Sequence, residues 1–306
     1  MKQEDAVAPV IAAMLVLAVV VTFFAVWNAT TIPAMKEQAE VSHLQEAGFG
    51  ILRFSSDIEA AASTPSSMTL SERIPLGGGD VLFSSTKSGG VLAVHNGSLS
   101  MVIDLYNTSG SGDYQKLDNS KFRLANFSYQ PIGNFWQDQG YVWSQGYVNV
   151  TKGTLATPLE FSTMSAVDYN LTDALFSASS VANASNPAQC TVLVLKGVNI
   201  QTAEARGSVS GNGAGTLKLV STPGTDKFFN VTRVNVTISN SEQLSAFQEA
   251  MRKSVNSSFN RNVLNSCGNI QYSDTYSTNS TISLMIASIP NVTVIRQITD
   301  ISLSAN

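Results

Sequence analysis

Charged and reactive residues are scarce in this chain of 306 residues. Only 13% of the residues are charged, and the sequence holds two cysteines and two histidines. A formal net charge of −4 provides no basic surface for nucleic acid, so we expect no nucleic-acid partner. Ser, Thr, Asn and Gly take the surface role instead, which is typical of extracellular β-rich proteins.

Motifs for catalysis or metal binding are also missing. Neither His43 nor His95 has a metal-ligating partner at helical or hairpin spacing, and the sequence has no G-x-S-x-G or H-E-x-x-H motif. The glycine run at residues 77–79 lacks the strand–loop–helix context and the GK[ST] of a phosphate-binding loop. We therefore predict no catalytic residue, no metal site and no cofactor.

The two cysteines allow two interpretations. Outside a membrane, Cys190 and Cys267 would naturally form one disulfide, which would stabilise the fold by roughly 4 kcal/mol through loop entropy. The alternative is that both are buried free thiols, and their spacing does not decide between the two.

What the chain does have is one long apolar run at its start. Residues 6–27 carry no charge and would form a helix of about 33 Å, enough to cross a hydrocarbon core of about 30 Å. A cleaved secretory signal would have a shorter apolar region, a positive flank and a small-residue cleavage site. A retained membrane helix is the better interpretation, with Trp27 at the outer interface. Its characteristic residues are Ala6, Pro9, Val10, Ile11, Leu15, Leu17, Phe23, Phe24 and Trp27.

The segment EDAVAPVI at residues 4–11, followed at once by this apolar run, resembles the N-terminal region of archaeal type IV pilin-like proteins. The resemblance covers about 60 residues, and Ala8 stands where Ser is usual in that family. It implies a membrane helix that continues into a polar helical stretch, and self-association through that helix. It also implies possible processing of the short leader between Lys2 and Gln3.

Beyond the apolar run, the sequence predicts a break and then a second helix. Residues 28–33 include poor helix formers and end in Pro33, so the helix should stop there and resume over 34–62. Glu37 and Glu40 fall on the apolar stripe of this second helix. The stripe consists of Val41, Leu44, Gly48, Ile51, Ser55 and Ile58. It could pack on the protein's own outer domain or on neighbouring subunits, as in a filament core.

The remaining sequence changes to a strand-like period. We predict an α+β protein, in which a long membrane-spanning and stalk helix (1–63) precedes a mainly antiparallel β ectodomain. The ectodomain would have two β-rich lobes, at 64–188 and 189–306, with one packed helix at 241–254 in the second lobe. An aromatic-rich stretch at 129–147 indicates either a sheet core with cross-strand aromatic pairs or a glycan-binding face.

Sequons are abundant in this outer part. Together with the cysteines they indicate that the bulk of the chain is extracellular and that the N-terminus is inside the cell, so the protein would be a single-pass protein of the cell membrane. Asn28 also lies in a sequon but is too close to the membrane for use. The glycosylation candidates are Asn96, Asn107, Asn126, Asn149, Asn170, Asn183, Asn230, Asn235, Asn256, Asn279 and Asn291.

Three functional hypotheses follow from these patterns. The first is a structural type IV pilin-like subunit, anchored or assembled through its helix, whose glycosylated ectodomain coats the surface or adheres. Its partners would be membrane lipid, copies of itself, and surface glycans or other cells. The second is a monomeric, signal-anchored binding module, such as an adhesin or glycan-binding protein. The third, a surface enzyme, has no motif in its favour.

Overall fold

The structure is a computed structural model that describes most of the chain. The described residues are 7–64, 66–78, 88–108, 112–144, 146–159, 175–203, 207–240, 246–265, 267–276, 281–287 and 292–306. The sequence also predicts strands at 80–83 and 159–167; the first, and nearly all of the second, lie outside these ranges.

One uninterrupted helix, α1 (Val7–Ser63), forms the N-terminal part of the molecule. The predicted break at residues 28–33 is therefore wrong. Pro33 removes one backbone hydrogen bond, but helix propensities are weak preferences, and the segment that follows at residues 34–47 consists mostly of good helix formers. The predicted membrane-spanning segment and the predicted stalk thus form one continuous helix.

The second half of α1 packs against the protein's own β-sheet. Leu44, Ile51, Phe54 and Ile58 are buried and belong to the hydrophobic core. Of the two alternatives for the apolar stripe, packing on the chain's own outer domain is the one seen over this half of the helix. The buried residues from Leu44 to Ile58 are three, four and seven positions apart, which places them on one face of the helix.

Fourteen strands within the described residues form one large curled sheet. Its main path runs β1-β10-β14-β8-β3-β2-β11-β13-β12, and β4, β5, β6, β7 and β9 pair at its sides. Most pairs are antiparallel, but β14 runs parallel to β8. The strands are β1 (Met68–Pro75), β2 (Gly89–Thr108), β3 (Tyr114–Ile132), β4 (Gly140–Ser144), β5 (Tyr147–Lys152), β6 (Leu155–Pro158), β7 (Phe176–Asn183), β8 (Asn186–Thr202), β9 (Ser208–Gly211), β10 (Ala214–Val231), β11 (Arg233–Asn240), β12 (Gln271–Tyr276), β13 (Thr281–Ala287) and β14 (Val292–Ala305).

This topology confirms an α+β protein with a mainly antiparallel β part, but the predicted pair of lobes is not confirmed. The predicted boundary at 188/189 falls inside β8. Strands from both sides of it alternate in the sheet, because β1 pairs with β10 and β2 pairs with β11. Pairing between distant strands is not visible in a local sequence pattern.

A second helix, α2 (Ala246–Phe259), follows β11 and continues into a π-helical turn (Asn260–Leu264). It begins and ends five residues later than the helix predicted at 241–254, whose first five residues lie outside the described ranges. Met251, Val255 and Phe259 are buried in the core, and the Ser258 hydroxyl accepts a hydrogen bond from the backbone N–H of Ala178 on β7 at 2.7 Å.

Candidate functional site

The first half of α1 is an apolar surface that no other described part of the chain covers. Thirteen large apolar side chains between Val10 and Trp27 are 43–67% exposed. By length and composition this segment could cross a membrane, and none of its most apolar stretch is buried within the protein. The predicted membrane-helix residues from Pro9 to Trp27 all lie here, whereas Ala6, Lys2 and Gln3 lie outside the described residues.

The few polar side chains of this segment bond to the helix itself. The Thr22 hydroxyl donates to the carbonyl of Val19 at 2.9 Å, and the Thr30 hydroxyl donates to the carbonyl of Val26 at 2.8 Å. The Asn28 amide donates to the carbonyl of Phe24 at 2.9 Å. Because these three side chains donate to carbonyls of their own helix, they are compatible with an apolar environment.

Glu40 marks the point where the helix meets the sheet domain. It is 3% exposed and is the first buried residue among those of α1 whose side chains are described. Its carboxylate accepts three backbone hydrogen bonds, from the N–H groups of Phe135 at 2.9 Å, Trp136 at 2.9 Å and Gln137 at 3.2 Å. Successive backbone N–H groups that point at one anion form a nest, and here the anion is a side chain of the same protein.

The loop that forms this nest, residues 133–139, has a defined shape. Gly133 has φ of 79°, a left-handed conformation that glycine adopts without steric cost. The Asn134 amide donates to the carbonyl of Gln137 at 3.2 Å. Phe135 and Trp136 pack edge to face with ring centroids 4.7 Å apart, yet Phe135 is 80% exposed. These contacts define the backbone of the loop, with the Phe135 side chain largely exposed and the Trp136 side chain about one-third exposed.

The other aromatic residues of the 129–147 stretch are core residues. Phe127 stacks on Trp143 across β3 and β4 at 5.3 Å, and Tyr129 faces Tyr141 on the same strands. The indole N–H of Trp143 donates to the Ser55 hydroxyl on α1 at 3.0 Å. Because these rings are buried, the interpretation as cross-strand core pairs is correct for them, and they are not available to stack on a sugar.

His43 lies one helical turn beyond Glu40, in the same interface. Its Nε2 lies 2.8 Å from the Tyr129 hydroxyl, which in turn donates to the carbonyl of Leu76 at 3.2 Å. Burial lowers the pKa of His43 below its usual 6.5, and the charge of Glu46 and a bond with the Leu76 backbone oppose this only in part. His43 is therefore a neutral member of a buried hydrogen-bond network. Burial also favours the neutral form of its partner, because it raises the pKa of the Tyr129 hydroxyl.

Gly48 and Gly50 allow the sheet to approach the helix closely. A Cβ atom at Gly48 would lie 2.9 Å from the ring of Tyr141, whose hydroxyl donates to the carbonyl of Leu44 at 3.0 Å. At Gly50 it would lie 2.6 Å from Cδ1 of Ile74. These glycines weaken an isolated helix by about 1 kcal/mol each, so their place in this helix is explained by packing.

Cys190 and Cys267 form a disulfide, which confirms the first of the two interpretations. It connects β8 to the segment after the π-helical turn, with the Cα atoms 5.2 Å apart. The Asn269 side chain braces the same place, since its oxygen accepts from the N–H of Cys190 at 2.9 Å and its amide donates to the carbonyl of Cys190 at 3.1 Å.

The glycosylation candidates differ in accessibility. Asn96 and Asn230 are exposed, whereas Asn149 is 8% exposed in β5, between β4 and β6. Asn230 has φ of 54° at an irregularity in the pairing of β10 with β14, so it is not a regular strand residue. The half-buried candidates are Asn107, Asn126, Asn183, Asn235 and Asn256, and Asn170, Asn279 and Asn291 lie outside the described residues.

Within the described residues, no group of three His, Cys, Asp or Glu side chains is arranged to hold a metal ion. Sequence reasoning noted Glu40 only as an acid on an apolar stripe, and that anomaly was the available signal for its role. The loop that it holds carried no separate signal. In comparisons with known proteins, no family model, curated protein or solved structure matches this chain.

Proposed function

We propose that this protein is a structural cell-surface subunit of the type IV pilin-like class, anchored or assembled through the bare half of α1. The observation that carries the proposal is the division of one continuous helix into two parts. Residues 10–27 present apolar side chains to the surroundings, and residues 40–62 pack on the protein's own sheet. The resemblance of residues 4–11 to the pilin-like motif supports the same conclusion.

The bare half must be covered by something other than water. Burying a fully exposed large apolar side chain is worth roughly 1.5–3 kcal/mol. The thirteen side chains here are about half exposed, so covering them corresponds to about 10–20 kcal/mol. Lipid would cover the helix in the membrane, and identical helices would cover it in an assembly. Either environment satisfies the same surface, which allows one segment to act as an anchor first and as a filament core later.

In this proposal the N-terminus lies inside the cell and the sheet domain lies outside. The disulfide supports this orientation, because such bonds persist in oxidising compartments. The domain outside, as two β-rich lobes or as one unit, would carry glycans on its accessible sequons and would coat the assembly or contact surface glycans and other cells.

The test is cross-linking within cells of the natural source. Because the two natural cysteines are bonded to each other, a cysteine introduced at Leu15 is the one available for cross-linking. We expect a ladder of cross-linked species larger than dimers for Leu15→Cys, and fibres in sheared surface fractions by electron microscopy. The matched control is Tyr114→Cys on the sheet domain, where the natural side chain is 52% exposed. This variant should give no such ladder.

Monomers confined to the membrane fraction in both variants would contradict the filament proposal. That outcome would favour the monomeric binding module, which one observation already supports. The stripe over residues 40–62 is covered by the chain's own sheet, so the stalk needs no neighbour there. The mass of the mature N-terminus adds a second readout, since a terminus at Gln3 indicates pilin-type processing.

A further inference from the structure

We propose that the loop held by Glu40 is a second membrane contact, which rests the sheet domain on the lipid headgroups beside the helix. This inference depends on the proposed insertion of α1 into a membrane. Three large apolar side chains are exposed within five residues of this loop and the end of β3: Ile132 at 53%, Phe135 at 80% and Trp136 at 36%. We name this set the proximal apolar patch.

The patch lies at the end of the sheet domain that faces the bare helix. Its backbone bonds to Glu40, the first buried residue among the described side chains of α1. Every described residue of α1 before Glu40 is exposed or half-buried, and those from Val10 to Trp27 form the apolar surface. The sheet domain therefore extends away from the patch, and the apolar segment extends from it in the opposite direction.

The length of the apolar run brings this end of the domain to within about 7.5 Å of the lipid surface. The charge-free run from residue 6 to residue 35 is about 45 Å long as a helix, and a bilayer with both headgroup layers is about 40–45 Å thick. If the run fills that thickness, Met35 lies at the outer edge of the headgroups, and Trp27 lies about 12 Å further in, deeper than the outer interface that the sequence predicts for it. Glu40 then lies about 7.5 Å beyond Met35 along the helix.

The chemistry of the patch fits an interface between lipid and water. Trp and other amphipathic aromatic residues are favoured at the level of the headgroups. The Glu40 carboxylate, the positive-φ Gly133 and the hydrogen bond from the Asn134 amide hold the backbone of the loop in one conformation. The loop backbone therefore loses no further conformational entropy when the rings contact lipid. Residues 28–39 separate the patch from the apolar surface of the helix, and a bilayer that holds the helix lies on the side of the domain that carries the patch.

The test uses the full-length protein in vesicles of phosphatidylcholine and phosphatidylglycerol that carry a nitroxide on the headgroup. Single cysteines are labelled with an environment-sensitive fluorophore at Phe135, at Phe229 and at Leu15, since the natural cysteines are bonded to each other. Phe229 is the matched control because its side chain is 66% exposed and far from the patch. The start of β10 lies beside Leu76, which belongs to the His43 network near the patch, and Phe229 lies up to about 50 Å further along that strand.

We expect nitroxide quenching and a shift of emission to shorter wavelength for the label at position 135, and neither effect for the label at position 229. The label at position 15, deep in the helix, should be quenched in separate vesicles whose lipids carry the nitroxide on the acyl chain. If 15 is quenched and 135 behaves like 229, the second contact is wrong while the membrane helix stands. If 15 is not quenched, the proposed insertion itself fails.

Two further measurements separate lipid from a second copy of the chain and test the role of Glu40. Emission at 135 that shifts only when the ratio of protein to lipid is raised would assign the patch to another copy and overturn the proposal. Glu40→Gln should reduce quenching at 135, because it replaces one acceptor oxygen with a donor that faces donors. Glu37→Gln, on an exposed position one turn earlier, should leave quenching unchanged.

Discussion

Removing the carboxylate of Glu40 should release the 133–139 loop and destabilise the junction between helix and sheet. Three backbone N–H groups lose their acceptor in Glu40→Ala. A hydrogen bond to a charged group contributes roughly 1.5–3 kcal/mol, but water can reach a partly buried loop and replace part of this. We therefore expect a loss of about 2–4 kcal/mol in the free energy of unfolding. Glu40→Gln keeps one oxygen and should lose about half as much.

The assay is urea unfolding of the full-length protein in detergent micelles, with amide hydrogen exchange as a local readout. Exchange of the N–H groups of residues 135–137 should speed up in Glu40→Ala by more than exchange in the core strands. Glu37→Ala controls for the general effect of removing an acid from this part of α1. Equal midpoints for the Glu40 and Glu37 variants, together with unchanged loop exchange, would refute the assignment of the nest.

Three other predictions concern the same domain. Because burial lowers the pKa of His43, the unfolded state takes up a proton below about pH 6.5 more readily than the native state does. The free energy of unfolding should therefore fall as the pH drops through that range. The difference between the thermal midpoints at pH 7.5 and pH 5 should be smaller in His43→Gln than in the natural protein. Reducing the Cys190–Cys267 disulfide, whose partners are 77 residues apart, should cost about 4–5 kcal/mol of stability in the loop-entropy model, and an unchanged urea midpoint would contradict this. Gly48→Ala should destabilise despite its gain in helix propensity, because the new methyl group meets the ring of Tyr141; a raised midpoint would show that the ring can move aside.

The parts of the fold that local patterns determine were predictable. The apolar run, the stripe over residues 40–62 and the membership of Ile51 and Ile58 in the core follow from period and composition. The strand-like sequence period predicts most of the sheet, although over β2 this period predicts two strands, at 90–94 and 99–106. The structure has one strand with a register irregularity between Asn96 and Ser100, which is where the strand pattern weakens.

The parts that depend on distant partners were not predictable. The parallel pairing of β14 with β8 joins residues about 100 positions apart, and no local pattern encodes it. Phe135 and Trp143 belong to the same aromatic-rich stretch, yet one is exposed and the other is buried under α1. What separates them is the turn at Gly133 and the acceptor on Glu40, a residue of another element.

The position of β14 also has a consequence for the order of events during synthesis. This strand lies between β10 and β8 and is hydrogen-bonded on both sides, so the sheet cannot close until residues 292–305 have left the ribosome. By then the apolar half of α1 has long emerged and can already be held in a bilayer. With α1 inserted as proposed, the chain would fold as a tethered polymer, and the membrane segment would restrict diffusion and aggregation between copies during the slow, non-local strand pairing.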